Sequence, residues 1–162
     1  MQSRSFSEVA RSAVAAGLPY DVAQLQAWLE PLANQAQVEC DGMTRLASHL
    51  LHKNGVEHIV AGGVLVDMQR LQDPEVGTEQ NCGVTHWWLE LGFGYIVYFR
   101  ARMWMGPEAQ HGVFIPAGGR FEYRTERRGQ FNPLPEPLLD LMAGVCIGDW
   151  SPFMPTAALE RK

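Results

Sequence analysis

A cysteine at position 40 and a histidine at position 86 are, by type and setting, the residues best suited to do chemistry in this chain. Cys40 stands in "VECDGMTRLASHLL", in phase with Met43, Leu46, Ala47, Leu50 and Leu51. That i, i+3, i+4, i+7, i+8 spacing predicts a helix over 41–54, stopped by Asn54-Gly55. Cys40 falls at its first turn, on the buried stripe. There the helix dipole and the free N–H groups favour thiolate over thiol. A thiolate in that position, met by an imidazole from a facing strand, makes a Cys–His nucleophile pair. The same position also suits the first small core residue of the stripe, because free cysteine is among the most buried residue types. Cys82, in a polar stretch four residues before His86, and Cys146, between Val145 and Ile147, are weaker candidates.

His86 lies in "THWWLELGFGYIVYFRARMW", which reads as a β-hairpin. His86, Trp88 and Glu90 alternate with Trp87, Leu89 and Leu91, and Gly92-Phe93-Gly94 forms the turn. The return strand, 95–101, is rich in β-branched and aromatic residues. A three-residue loop sets Leu91 opposite Tyr95, Trp88 opposite Tyr98 and His86 opposite Arg100. Tyr98 and Arg100 then share the face of His86, and a slip of one residue would move them off it.

The remaining elements must bring these two residues together. The pattern predicts helices over 7–16 and 19–34, the second with Pro31 as a kink or an early end. A strand follows over 57–67, with Gly62-Gly63 marking a bulge or a close backbone approach. Residues 69–82 read as a polar loop, and the stretch 77–83 that overlaps its end is an ordinary surface loop or a lid. Two strands over 112–116 and 120–124 follow, then a helix over 135–145, then an irregular tail whose Trp150 and Phe153 pack on the domain. Helices first and an antiparallel sheet afterwards is an α+β plan, in one domain over 1–162. Its parts are a helical stretch over 1–36, a Cys-helix and His-strand core over 37–104, and strands with a last helix over 105–162.

Composition narrows the function classes. The chain has 162 residues, nearly half of them apolar, and a net charge of −5, which leaves no electrostatic footprint for nucleic acid. Arg120, Arg124, Arg127 and Arg128 are interleaved with Glu122 and Glu126 and read as a solvated strand end. No apolar run approaches a membrane span, and the first residues read as an amphipathic helix and not a signal peptide. Three cysteines without CxxC spacing argue against a disulfide framework or a zinc knuckle, so a cytoplasmic, reducing setting is expected. His49 and His52, three apart on the helix and followed by His58, lack a third ligand of characteristic spacing; they read as solvated helix histidines, with a metal-binding protein built on the three as the remote option. No metal and no cofactor is expected. Met103, Trp104, Met105 and His111 read as core or rim, or as the lining of a groove.

"ECDGMTRLASHLLHKNGVEHIVAGGVLVD", "THWWLEL" and "GYIVYFRARMW" together resemble the core of transglutaminase-like and papain-like cysteine enzymes, over about 37–104. The resemblance implies a cysteine opening a helix packed on a sheet, matched by Cys40. It implies a strand of H-x-W-x-E type, matched by His86 to Glu90, and then a strand carrying an aspartate. That aspartate would fall at Tyr98. A phenol can hold the orientation of an imidazole but cannot act as its anionic partner. The constellation is therefore a Cys–His dyad or the remains of a triad. Gln35 and Gln37 stand where an oxyanion donor would precede the cysteine.

The resemblance implies a thiol hydrolase or acyltransferase acting on an amide bond of a peptide or protein. Cys40 would be the nucleophile, His86 the proton carrier, and Tyr98 the residue that orients His86. The alternative is a catalytically inactive member of the same fold that binds a protein partner or plays a structural role.

Overall fold

The computed structural model describes residues 17–155, and the helix expected over 7–16 lies outside them. The first described helix, α1 (Val22–Gln35), is capped by Asp21, whose carboxylate accepts from the Ala23 N–H at 2.9 Å. It runs through Pro31 to Gln35 and does not end early. An interior proline costs about 3 kcal/mol. Leu25, Leu29 and Leu32 are fully buried, and each contributes roughly 1.5–3 kcal/mol, so burial wins.

Helix α2 (Cys40–Lys53) follows, with Cys40 as its first residue. The chain then forms β1 (Ile59–Asp67), two short helices α3 (Met68–Leu71) and α4 (Glu79–Cys82), and the hairpin β2 (Gly83–Gly92) and β3 (Tyr95–Tyr98). After these come α5 (Ala101–Met105), β4 (Gly112–Phe114), β5 (Phe121–Gly129), α6 (Glu136–Ala143) and a 3-10 turn at Ile147–Asp149. The strands make one antiparallel sheet of order β4-β3-β2-β1-β5. The α+β plan is therefore what the chain adopts.

Three elements depart from the sequence pattern. The polar stretch 69–82 is not a plain loop. The Asp67 carboxylate accepts from the N–H groups of Gln69 and Arg70 and starts α3, and α4 lies within the stretch considered as a lid. Strand β3 ends at Tyr98 instead of 101, where the chain turns into α5. Strand β5 continues to Gly129 because the backbone of β1 is open to it along its whole length.

The hairpin register pairs Leu89 with Val97 and Glu90 with Ile96, which is the register that sets Trp88 opposite Tyr98. An irregularity between Glu90 and Gly92 places Gly92, not Leu91, opposite Tyr95. The Gly62-Gly63 irregularity falls on the β1–β5 side. A Cβ on Gly63 would meet the Arg124 carbonyl oxygen at 1.9 Å, so only glycine lets β5 approach there.

The sheet has two unlike faces. Val60, Leu89, Leu91, Tyr95, Val97 and Val113 pack with α1, α2 and α6 in the main core. Ala61, Leu65, Trp88, Ile96 and Tyr98 point the other way, into a smaller cluster closed by Ala101, Met105 and Ala109. His86 alternates with Trp87 and Leu89, so it belongs to this second face.

A candidate thiol–imidazole site

Cys40 starts on the helical side of the sheet, yet its side chain packs against the cluster on the other side. The hairpin explains how. The β2–β3 ladder stops at Leu89 and Val97, so the backbone of Trp87 has no strand partner on that flank. The first turn of α2 fills the gap. The Thr44 hydroxyl donates to the Trp87 carbonyl at 2.9 Å, and the Trp87 N–H lies against the Cys40 sulfur. One residue's N–H and C=O point to the same side of a strand, so a single peptide segment receives both helix residues.

The chain entering α2 is held by Arg100. Its guanidinium donates to the carbonyls of Val38 (2.8 Å), Ala36 (2.8 Å) and Phe99 (3.3 Å). Arg100 is 8% exposed, so these bonds are largely withdrawn from water. The sequence pattern set Arg100 opposite His86 on one face of the hairpin; its guanidinium instead clamps the segment before Cys40. Its signal in the sequence is a lone charge inside "YIVYFRARMW", where only a residue with several acceptors to satisfy would be tolerated.

His86 is fully buried. Its Nδ1 is hydrogen-bonded to the Tyr98 hydroxyl, and its ring meets those of Tyr98 and Trp104 at centroid distances of 5.2 and 6.4 Å. Its Nε2 is buried and has no hydrogen-bond partner among the described residues. Burial lowers the imidazole pKa to about 4, so His86 is neutral at pH 7. Burial likewise pushes Tyr98 far above the ordinary phenol range, and its hydroxyl keeps its proton. Tyr98 also lies within electrostatic reach of Cys40.

Cys40 itself is partly exposed. Burial, the largest influence, pushes its thiol upward; the N–H groups of Trp87 and Asp41 act against this, while the carboxylates of Asp41 and Glu39 add to the rise. The helix start alone suggested the opposite direction. The cost of partial burial beside two carboxylates exceeds the gain from the N–H groups. At rest, therefore, Cys40 carries its thiol proton and His86 is a neutral imidazole.

The other sequence candidates are engaged elsewhere or stand apart. The Gln35 amide donates to the Gly144 carbonyl at 3.5 Å, toward the end of α6, and Gln37 is exposed. The Gly42 N–H is held by the Asp41 carboxylate at 2.7 Å. Cys82 is buried, and Cys146, expected in apolar surroundings, is exposed. The strand-end arginines are paired: Arg120 with Asp67 and Glu108, Arg124 with Glu122 and Glu79, and Arg128 with Glu90. Arg127 lies over the Trp87 ring at 4.7 Å. A cavity of about 1190 Å3 opens at the other end of the sheet; Trp88 and Tyr123 reach its wall, but Cys40, His86 and Tyr98 do not.

No family model matches the chain, and neither does any curated protein or solved structure. Among the described residues, no helix is long and apolar enough to cross a membrane.

Proposed function

We propose that the protein is a thiol hydrolase or acyltransferase acting on the amide bond of a peptide or protein, built on a papain/transglutaminase-like core. One observation carries this reading: a buried histidine with one nitrogen held by Tyr98, a member of the cluster against which the Cys40 side chain packs, and the other nitrogen without a partner among the described residues. Buried polar atoms are nearly always satisfied, so an orphaned imidazole nitrogen calls for a role. Accepting a proton from the Cys40 thiol supplies one.

The neutral resting pair sets the order of events. In the productive tautomer Nδ1–H donates to the Tyr98 oxygen, which leaves the Nε2 lone pair free. The Cys40 sulfur attacks the carbonyl carbon as its proton passes to Nε2. The oxyanion is stabilised by N–H groups at the start of the Cys40 helix, that of Gly42 excepted because the Asp41 carboxylate holds it. Imidazolium then protonates the amine as the C–N bond breaks, leaving a thioester on Cys40 that water or a second amine resolves.

A second reading has its own support. A phenol does not stabilise imidazolium as a carboxylate does, and burial opposes charging His86, so the fold also suits a protein that binds a peptide without cleaving it. Intact-mass detection of a Cys40-linked acyl adduct, using an activated peptide ester, separates the two. Adduct in the native protein, and none in folded Cys40→Ser or His86→Ala variants, is expected. A folded native protein that forms no adduct at Cys40 would leave the binding protein as the better account.

A further inference from the structure

A second pair of side chains, on the helical side of the sheet, has the arrangement of a nucleophile and its base. The Ser48 hydroxyl, in the middle of α2, lies 2.7 Å from His58 Nε2. His58 Nδ1 lies 2.9 Å from the Val56 carbonyl oxygen. A carbonyl can only accept, so Nδ1 carries the proton and the bare Nε2 accepts the serine O–H. Burial lowers the His58 pKa, which keeps the ring neutral and in that tautomer. A mid-helix serine ordinarily bonds back to the carbonyl one turn earlier; this one is directed at an imidazole instead. The amide of Gln130 donates to the His58 carbonyl at 2.9 Å and fixes the residue further.

Both residues line the cavity of about 1190 Å3, which neither Cys40 nor His86 reaches. Its wall also holds Arg45, His49, Phe131 and Leu134. Arg45 lies one turn before Ser48 on α2, its guanidinium 4.1 Å from the centroid of the Phe131 ring. His49 Nε2 is buried and has no hydrogen-bond partner among the described residues. The Ser48 N–H is committed to the helix, so an oxyanion would draw its donors from side chains on the cavity wall, Arg45 among them.

We propose that Ser48 and His58 form a serine esterase site opening on this cavity, separate from Cys40 and His86, that takes small carboxylic esters with apolar acyl groups. The Ser48 oxygen attacks the ester carbonyl carbon while its proton passes to His58 Nε2. The carbon–alkoxy bond breaks, and His58 returns the proton to the leaving alkoxide, giving an alcohol and an acyl-serine. Water, deprotonated by His58, then hydrolyses the acyl-serine to carboxylic acid and free Ser48.

The test uses the full chain carrying Cys40→Ser, so that cleavage through that thiol is absent from the readout. A fluorophosphonate probe followed by peptide mapping is expected to label Ser48. Hydrolysis of p-nitrophenyl butyrate is expected to fall about 100-fold or more in Ser48→Ala and His58→Ala. The rate should rise with pH to a plateau set by an ionisation below 6.5, the ordinary histidine value from which His58 is lowered. Arg45→Gln should lower kcat more than it raises KM. Absence of label from Ser48 in the folded protein, or a folded Ser48→Ala variant that keeps the rate, would overturn the proposal; the labelling arm needs no substitution in the pair.

Discussion

His86 is buried and His58 half-buried; both are neutral and both are bonded through Nδ1, yet they stand in different chemical positions. His58 gives its Nδ1–H to a main-chain carbonyl, which fixes the tautomer without further help. His86 is bonded to a phenol, which can donate or accept, so its tautomer depends on which way the Tyr98 proton points. Nε2 of His58 is already bonded to the Ser48 hydroxyl, whereas Nε2 of His86 has no partner among the described residues. A backbone carbonyl makes a base ready at rest. A tyrosine makes one that must be selected, and a carboxylate in its place would favour both the productive tautomer and the charged form.

The largest effect that sharpens this contrast is expected from Arg100, which clamps the chain entering α2. Arg100→Met strips hydrogen bonds from three carbonyls that stay largely buried, a loss of roughly 3–5 kcal/mol. It should also loosen the turn that presents Cys40. Urea denaturation reads the first effect. A loss under about 1 kcal/mol would mean that the clamp is not what holds the 36–38 segment.

Stability against pH separates the two rings next. His86 has a folded pKa of about 4 against 6.5 unfolded, so below pH 6.5 the unfolded chain takes up the proton first. Its contribution is full above 6.5 and is lost as the pH falls through 4, a decline of about 3 kcal/mol. A folded His86→Phe variant should show a flatter profile over that window. If its slope matches the native slope, His86 is not the group that resists protonation.

Smaller still is Thr44→Val, which removes one bond to the Trp87 carbonyl and should cost about 1 kcal/mol. It tests whether the first turn of α2 is pinned into the gap beside β2. Unchanged stability together with an unchanged Cys40 alkylation rate would argue that it is not. The three thiols should also rank by access and ionisation near pH 7.5. Exposed Cys146 should alkylate first, the partly exposed, upward-shifted Cys40 second and buried Cys82 last, by peptide mapping. Cys40 reacting first would indicate a preformed thiolate and a different resting state.

The sequence disclosed what periodicity can carry. The stripe Met43, Leu46, Leu50 located α2 and placed Cys40 at its start, and the alternation through Trp88 and Tyr98 placed His86 and Tyr98 on one face. It could not disclose where β3 would leave the sheet, because "YFRARMW" stays β-prone through Arg100 and only the carbonyls of 36–38 draw that side chain away. Nor could it disclose the sign of the Cys40 shift, which balances burial against nearby N–H groups and carboxylates. The Ser48–His58 pair was hidden for a related reason. Its members are ten residues apart across a helix end and a turn, and no periodic pattern marks them.

The pH dependence of Cys40 alkylation in native protein and in Tyr98→Asp tests the central claim, that Tyr98 holds the third position of a thiol–imidazole site. Replacing a buried tyrosine carries a cost of about 3–5 kcal/mol, so folded fractions must be matched first. In native protein the inflection should lie above the ordinary thiol range. In Tyr98→Asp it should move down by about one unit or more, with the His86 pKa rising from about 4, because the carboxylate favours imidazolium and imidazolium favours thiolate. A well-folded Tyr98→Asp protein in which neither value moves would contradict the claim, and the chain would then be better read as a binding protein.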